Sequence, residues 1–228
     1  MNNSSLSKER IVSVLENEGF VPLARKVFKK TVYRKRSFLF TQHDLHSPLK
    51  KYKVSNRWRV DVFTPQDIPK CRAHFGQYIP DYIDLFNDGL KSYAAYETET
   101  NNVVGIIWYA DSDFYDKHYL RCKFSVEPHQ VLQVAAEVSL PYRNTTISVD
   151  IMRFAWAYWE EQGKDEVFCY TDVSNAPSLR VQFHLHWEEM GRLIHIHRLF
   201  GYQWQKMESY SGERFTHFKK KPRRKTPV

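Results

Sequence analysis

Apolar residues recur at different intervals along the chain, and each interval predicts an element. Ile11, Val14 and Leu15, then Leu23, Val27 and Phe28, follow helical spacing, so Leu6–Val32 reads as a helix interrupted near Gly19 and Pro22. Ser37–Thr41 reads as a short strand and His43–Asn56 as a polar connection. Trp58–Phe63 alternates as a strand does. Thr64 then offers an N-cap, Pro65 a first helical residue and Asp67 a carboxylate near the helix dipole. Ile79–Leu90 predicts a further helix with Gly89 near its end. Lys91–Glu97 and Val103–Ala110 predict two strands joined across Thr98–Asn102 as a hairpin. The long apolar run Val131–Val138 suggests a buried central strand. A helix over Ile147–Gly163, a strand over Glu166–Asp172 and a helix over Ala176–Leu185 follow. Met190–Phe200 and Arg214–Phe218 would close the sheet as an antiparallel pair.

Composition narrows the picture only a little. The 228 residues suffice for one well-buried domain with an appendage. No apolar run approaches the roughly 20 residues that span a bilayer. The first residues lack the charged and apolar regions of a signal peptide, and Cys71, Cys122 and Cys169 lie far apart with no metal-ligand spacing. Together these predict a cytoplasmic protein with reduced core cysteines. The net charge of +8 is concentrated in Arg25–Arg36 and in Lys219, Lys220, Lys221, Arg223, Arg224 and Lys225. Such runs bind nucleic acid or anionic lipid, or are solvated faces and tails. No recognised nucleic-acid-binding motif accompanies them, which argues against a nucleic-acid partner. The expected organisation is a basic helix–strand extension over 1–57, one domain over 58–218 and a disordered basic tail over 219–228.

The most informative stretch is Val138-Ser-Leu-Pro-Tyr-Arg-Asn-Thr-Thr-Ile-Ser148, where a strand enters a tight turn and then a helix. Such a turn aims backbone N–H groups and the positive end of a helix dipole at one point, an arrangement suited to an anion. About thirty residues later comes Asn175-Ala-Pro-Ser178-Leu-Arg-Val181-Gln182-Phe-His-Leu-His-Trp187. Together the two segments resemble the cofactor-binding core of the GNAT acetyltransferase superfamily. In the family pattern [Q/R]-x-x-G-x-[G/A], Arg143 fits, while Thr146 and Ser148 stand at the small-residue positions. In the second pattern Asn175, Ser178, Val181 and Trp187 fit, whereas Gln182 and His186 depart.

The resemblance implies an α/β fold with a mixed, mostly antiparallel twisted sheet flanked by helices, over roughly 58–218. It implies acetyl-CoA or another acyl-CoA as cosubstrate and requires no metal. The pantetheine arm would pair with the strand end Val138, Ser139 and Leu140. The pyrophosphate would sit on the N–H groups of Arg143, Asn144, Thr145, Thr146, Ile147 and Ser148. Asn175 would brace the region beyond the fifth strand, and Ser178 and Arg180 would reach the adenosine or phosphate end. Alternatively, the first segment is an ordinary connection, Asn175 a plain turn residue and Arg180 a solvated helix position.

Transfer to an amine needs a proton acceptor and a proton for the leaving thiolate. Glu137, a carboxylate in an apolar strand, is the candidate base, with a raised pKa if buried; a solvent-facing or ion-paired glutamate is the alternative. The family commonly places a tyrosine acid at the position of Gln182, which cannot titrate. Tyr170, Tyr142 and His184 are other donors, although two helical positions turn His184 about 200° from Gln182. His195 and His197 share one strand face and could bind one zinc ion, but no third ligand has obvious spacing. Aromatics such as Phe114, Tyr115, Tyr119, Trp156, Tyr158 and Trp159 serve a core, or a groove for a sugar or acyl chain. The expected activity is acyl-CoA-dependent N-acyl transfer to a small primary amine such as an amino sugar. The alternatives are a longer acyl chain, from CoA or an acidic carrier protein docked on Arg25–Arg36, and a non-catalytic CoA-binding protein.

Overall fold

A computed structural model describes residues 33–48, 55–117, 119–200 and 202–219. The helix expected over Leu6–Val32 and the tail beyond Lys219 lie outside them. Ten strands form in chain order: β1 (Tyr33–Asp44), β2 (Trp58–Phe63), β3 (Lys91–Glu97), β4 (Val103–Ala110), β5 (Phe114–Asp116), β6 (Cys122–Phe124), β7 (Gln130–Val138), β8 (Glu166–Asp172), β9 (Glu188–Leu199) and β10 (Tyr202–Ser209). The longer helices are α1 (Ile79–Asn87), α2 (Ile147–Glu161) and α3 (Ala176–His184). Eight strands make one sheet in the order β10-β9-β1-β8-β7-β4-β3-β2, and β5 and β6 pair separately. Only β7 and β8 run parallel; every other neighbouring pair is antiparallel.

Local chemistry accounts for most boundaries. The Thr64 N–H and hydroxyl both donate to the Asp67 carboxylate, at 3.0 and 2.7 Å, and open the helical segment Pro65–Tyr78. Gly163, with φ +76, follows the end of α2. Gly105 on β4 is required by close approach: a Cβ there would lie 2.5 Å from Ile147 Cγ2, at the start of α2.

The sheet buries apolar side chains on both faces. On one, Phe38, Phe40, Phe63, Trp108, Leu132 and Phe168 pack with Tyr82 and Leu85 of α1. On the other, Tyr93, Ile107, Tyr109, Val167 and Cys169 pack with Ile151, Ala155 and Trp159 of α2. Leu39, which alternation places opposite Phe38 and Phe40, packs with Leu179 and Phe183 of α3.

Two sequence expectations are corrected here. The strand expected at Ser37–Thr41 runs from Tyr33 to Asp44 and pairs with β8 on one side and β9 on the other. Residues assigned to a leading extension ending at 57 therefore include an interior strand of the sheet. Its polar beginning, Tyr33-Arg-Lys-Arg36, disguises it, because the cations sit at exposed positions. The partner of β9 is β10, not Arg214–Phe218, which lies in a bend and a short 3-10 turn. β10 escapes notice because its burial pattern lacks a fully buried position. Lys219, expected in the solvated tail, sits 5.8 Å from the centre of the Phe183 ring and reaches Glu213 at 2.5 Å.

Inside the sheet, β1, β8 and α3 share a buried polar knot. Gln182 Nε2 donates to Thr171 Oγ1 at 2.8 Å and to Cys169 Sγ at 3.1 Å, and Thr41 Oγ1 donates to Gln182 Oε1 at 3.4 Å. Nearby His43 is 2 % exposed and stacked on Trp156, at 4.3 Å, with Trp187 at 5.9 Å. Its ring nitrogens have no hydrogen-bond partner among the described residues. Burial lowers its pKa from 6.5, opposed by the His186 backbone and the Asp44 carboxylate.

Replacing Gln182 by Leu leaves the buried Thr171 and Thr41 hydroxyls without their amide partner. It is expected to lower the unfolding free energy by about 1–3 kcal/mol, measured by urea denaturation. His43 predicts a pH effect of definite sign. The unfolded chain takes up a proton as pH falls through 6.5, while the folded state resists it, so stability falls on that side. His43→Leu is expected to flatten this part of the stability profile. Comparison with wild type separates the effect from that of exposed His46, whose pKa is raised by Asp165 and Glu160.

Candidate active site

The site begins where two strands stop pairing. β7 and β8 are in register from Gln130↔Glu166 to Gln133↔Cys169 and no further, although β7 continues to Val138 and β8 to Asp172. On its other side β7 stays paired to β4, but with a bulge: Tyr109 faces Gln133, Trp108 faces Ala135, and Val134 is the extra residue. Val134 and Ala135 consequently both pack on the α1 face. Strict alternation from Leu132 would turn Glu137 toward α2; the bulge turns it toward α1 instead.

A cleft of about 650 Å³ fills the gap. Ala135, Ala136 and Glu137 line one wall, and Tyr170, Thr171 and Asp172 the other. Tyr78, Asp81 and Tyr82 approach from the α1 side, and Asn175, Ser178 and Gln182 from the α3 side, so the cleft opens through the sheet. Tyr82 donates its phenol hydrogen to Glu137 Oε2. Burial raises the Glu137 pKa above the ordinary carboxylate value, opposed by the Tyr82 hydrogen bond and reinforced by Asp81. The Tyr82 phenol is in turn pushed far up by burial and by Glu137.

Tyr170 lies flat on Phe124, with ring centres 4.7 Å apart, and donates to Asp116 Oδ2 at 2.8 Å. Burial and the Asp116 carboxylate raise its pKa well above 10.0. Asp172 and Arg36 close one side of the mouth as an ion pair of 2.6 Å, with the guanidinium 4.8 Å from the centre of the Tyr119 ring. Among the described residues, Arg36 is the only Lys or Arg in the cleft lining, against the carboxylates of Asp81, Asp116, Glu137 and Asp172.

The sequence-predicted residues distribute unevenly. Glu137, Tyr170, Asn175 and Ser178 line the cleft. Asn175 caps α3, its side chain accepting from the Ser178 N–H at 3.4 Å. His184 is exposed at the end of α3 and is not in the lining, so the structure corrects its expected place in the site. The cause is helical rotation: Gln182 faces the sheet, and two positions later the side chain faces out. Arg180 is likewise exposed and outside the lining. Tyr142 is buried and donates to Glu97.

Val138, Ser139, Leu140, Arg143, Asn144, Thr145, Thr146, Ile147 and Ser148 run from the end of β7 into α2, outside the cleft lining. Ser139 is buried and hydrogen-bonded to His74 Nδ1 at 3.0 Å, whereas Leu140 is exposed. Arg143 Nε reaches the Val138 carbonyl at 3.4 Å. Asn144 adopts φ +66. Thr145 Oγ1 donates to the Tyr142 carbonyl at 2.6 Å. Thr146 Oγ1 donates to Asp150 Oδ2 at 2.9 Å, and the same oxygen accepts from Trp58 Nε1 at 2.8 Å. The buried Asp150 is thus held inward, leaving Arg143 as the charged side chain of the turn on the outside. In the first turn of α2 the Ile147 N–H already donates to Thr145 Oγ1 at 3.4 Å. The Thr146 hydroxyl is committed to Asp150, which leaves the exposed Arg143 side chain as the turn's outward charged group.

Sequence reasoning missed Tyr82, Tyr78 and Asp81, because at helical spacing Tyr82 and Leu85 read as core. The histidine pair is held by hydrogen bonds. His195 is bonded to Ser37 and Glu208, each at 2.8 Å, and His197 to Tyr33 at 2.7 Å. Among the described residues, no group of three or more His, Cys, Asp or Glu is placed to hold a metal.

No protein-family model and no curated protein matches the sequence. Solved structures match the fold. A tandem GNAT protein from the clavulanic acid biosynthesis pathway superposes with a TM-score of 0.53 at 15 % identity, over 79 % of this chain and 59 % of its own. A GCN5-related N-acetyltransferase from Sphaerobacter thermophilus gives 0.51 at 13 % identity, over 78 % and 56 %. A conserved protein of unknown function from Staphylococcus epidermidis gives 0.50 at 11 %, over 80 % and 69 %. The match thus spans little more than half the length of the first two. With one parallel strand pair splayed in an otherwise antiparallel sheet, and helices on both faces, the chain has the fold of the GNAT superfamily.

Proposed function

We propose that the protein is an acyl-CoA-dependent N-acyltransferase acting on a small primary amine. The observation that carries the reading is the half-buried carboxylate of Glu137, held by Tyr82 at the gap where β7 and β8 part. Among the described residues, backbone of β7 beyond Gln133 has no ladder partner on the β8 side, which supports pairing with a pantetheine amide. Arg143 and the start of α2 would hold the pyrophosphate, and Asn175 and Ser178 would border the arm on the α3 side. Bound there, acyl-CoA supplies an activated acyl carbonyl. The α1 side, with its carboxylates and the rings of Tyr78 and Trp108, suits a cationic acceptor, an amino sugar being one with the size and polarity to match.

Glu137 takes a proton from the acceptor, so that the neutral amine nitrogen forms the C–N bond as the C–S bond breaks. Forming the amide releases a second proton from the same nitrogen, and this proton neutralises the leaving sulfur. Tyr82 holds Glu137 and keeps its carboxylate aimed into the cleft. Tyr170 is a weak acid here, since its hydrogen already goes to Asp116 and its pKa is raised. The role of thiolate acid therefore falls less on Tyr170 than on the amine's own proton.

Thermal stabilisation by CoA, acetyl-CoA and longer acyl-CoAs tests the ligand class and ranks acyl length. No shift with any of them would remove the reading. In a thiol-release assay with a panel of amines and amino sugars, Glu137→Gln is expected to lower kcat about a hundredfold or more, with CoA affinity unchanged. Wild-type kcat should fall as pH drops through the raised Glu137 pKa, and the variant should lose that limb. Tyr170→Phe is expected to lower kcat by less than about tenfold; a loss as large as that of Glu137→Gln would make Tyr170 the acid.

A further inference from the structure

The far end of the sheet, where β9 turns into β10, carries a feature that folding does not explain. Phe200, in the turn, is 77 % exposed with φ +47, and Tyr202 beside it is 72 % exposed. A bulky residue rarely adopts positive φ, and hairpin turns favour Asn or Gly there. Tyr33, Leu199 and Tyr202 occupy one row across β1, β9 and β10, so an apolar edge surrounds the turn.

Behind this edge comes a band of cations. Arg34 pairs with Arg198 in the next row, Lys35 with His197 in the row after, and Lys206 lies opposite His195. All four basic side chains are exposed. There is no Asp or Glu in residues 33–37 or 192–207.

We infer that the β9–β10 turn is a docking tip for the surface of an anionic lipid bilayer. Phe200 and Tyr202 enter the headgroup region, and Arg34, Lys35, Arg198 and Lys206 meet the lipid phosphates. An aromatic tip backed by cations is the composition that binds membrane interfaces. Single-stranded nucleic acid fits less well. The Trp204 ring is already stacked with His197, at 5.0 Å, and with Tyr202, at 6.0 Å, so part of its surface is taken. Arg36, further along β1, lines the cleft, so a docked tip would hold the cleft mouth close to the bilayer.

The test is co-sedimentation of the full chain with vesicles of phosphatidylcholine alone and of phosphatidylcholine mixed with phosphatidylglycerol. Wild type is expected to bind the mixed vesicles, less so as salt is raised, and not the neutral ones. Phe200→Asn with Tyr202→Thr is expected to weaken binding about tenfold or more. Asn suits the turn, so the variant should keep the wild-type melting temperature. Lys206→Glu with Arg198→Glu should weaken binding similarly. Absence of wild-type binding, equal binding to neutral vesicles, or full binding by the tip variant would each overturn the proposal. So would a tip-dependent dimer in ultracentrifugation, or tip-dependent binding of a single-stranded RNA without vesicle binding. CoA binding and thiol release in solution are independent of these outcomes and separate this proposal from the enzymatic one.

Discussion

Pairing between β7 and β8 ends at Gln133 and Cys169, and the rest of the site depends on that break. Two parallel strands that stayed in register would close the sheet and leave no room between them. Instead β7 keeps its ladder with β4, absorbs one extra residue at Val134, and bends away from β8. The bulge also reverses which residues face α1. Glu137 reaches Tyr82 because of that reversal, and Val138 packs on the α2 side.

A gap in a sheet needs walls that do not collapse into it. On the β8 side the wall is held by β1, whose Thr41 joins Cys169, Thr171 and Gln182 in one buried network. A glutamine at position 182 thus has a structural role. A tyrosine there would have to displace a satisfied network in a site with almost no exposure. On the β7 side the wall is held by α2, which approaches β4 closely because Gly105 lacks a side chain. The same approach fixes the start of α2 and the turn before it.

Charge in the cleft follows from this framework. Carboxylates come from α1, from the β5 end, from β7 and from β8, and the Arg36 guanidinium of the lining is paired with Asp172. Burial opposes ionisation of Glu137, while Tyr82 favours it, and the balance leaves its pKa above that of an exposed glutamate. Among the described residues, exposed Arg34, Lys35, Arg198 and Lys206 gather at the β9–β10 end. Cleft and β9–β10 end therefore carry opposite signs.

Much of the fold was legible in the chain. β2, β3, β4 and β8 and the cores of α1, α2 and α3 follow from alternation, helical spacing and caps, which are local properties. The two motifs marked the strand–turn–helix and α3, and the run Val131–Val138 marked Glu137 as an unusual carboxylate. What the sequence could not decide was everything set by long-range pairing. Nothing in Tyr33–Asp44 says that it lies between β8 and β9, because strand order depends on partners more than a hundred residues away. Tyr82 could not be distinguished from a core tyrosine, since its partner Glu137 is 55 residues on. His184 looked close to the chemistry by position, and only the packing of Gln182 against β8 turned it outward. Local periodicity thus determined which elements form, whereas tertiary packing decided which side chains meet, because one bulge or one inserted strand changes the facing of many residues at once.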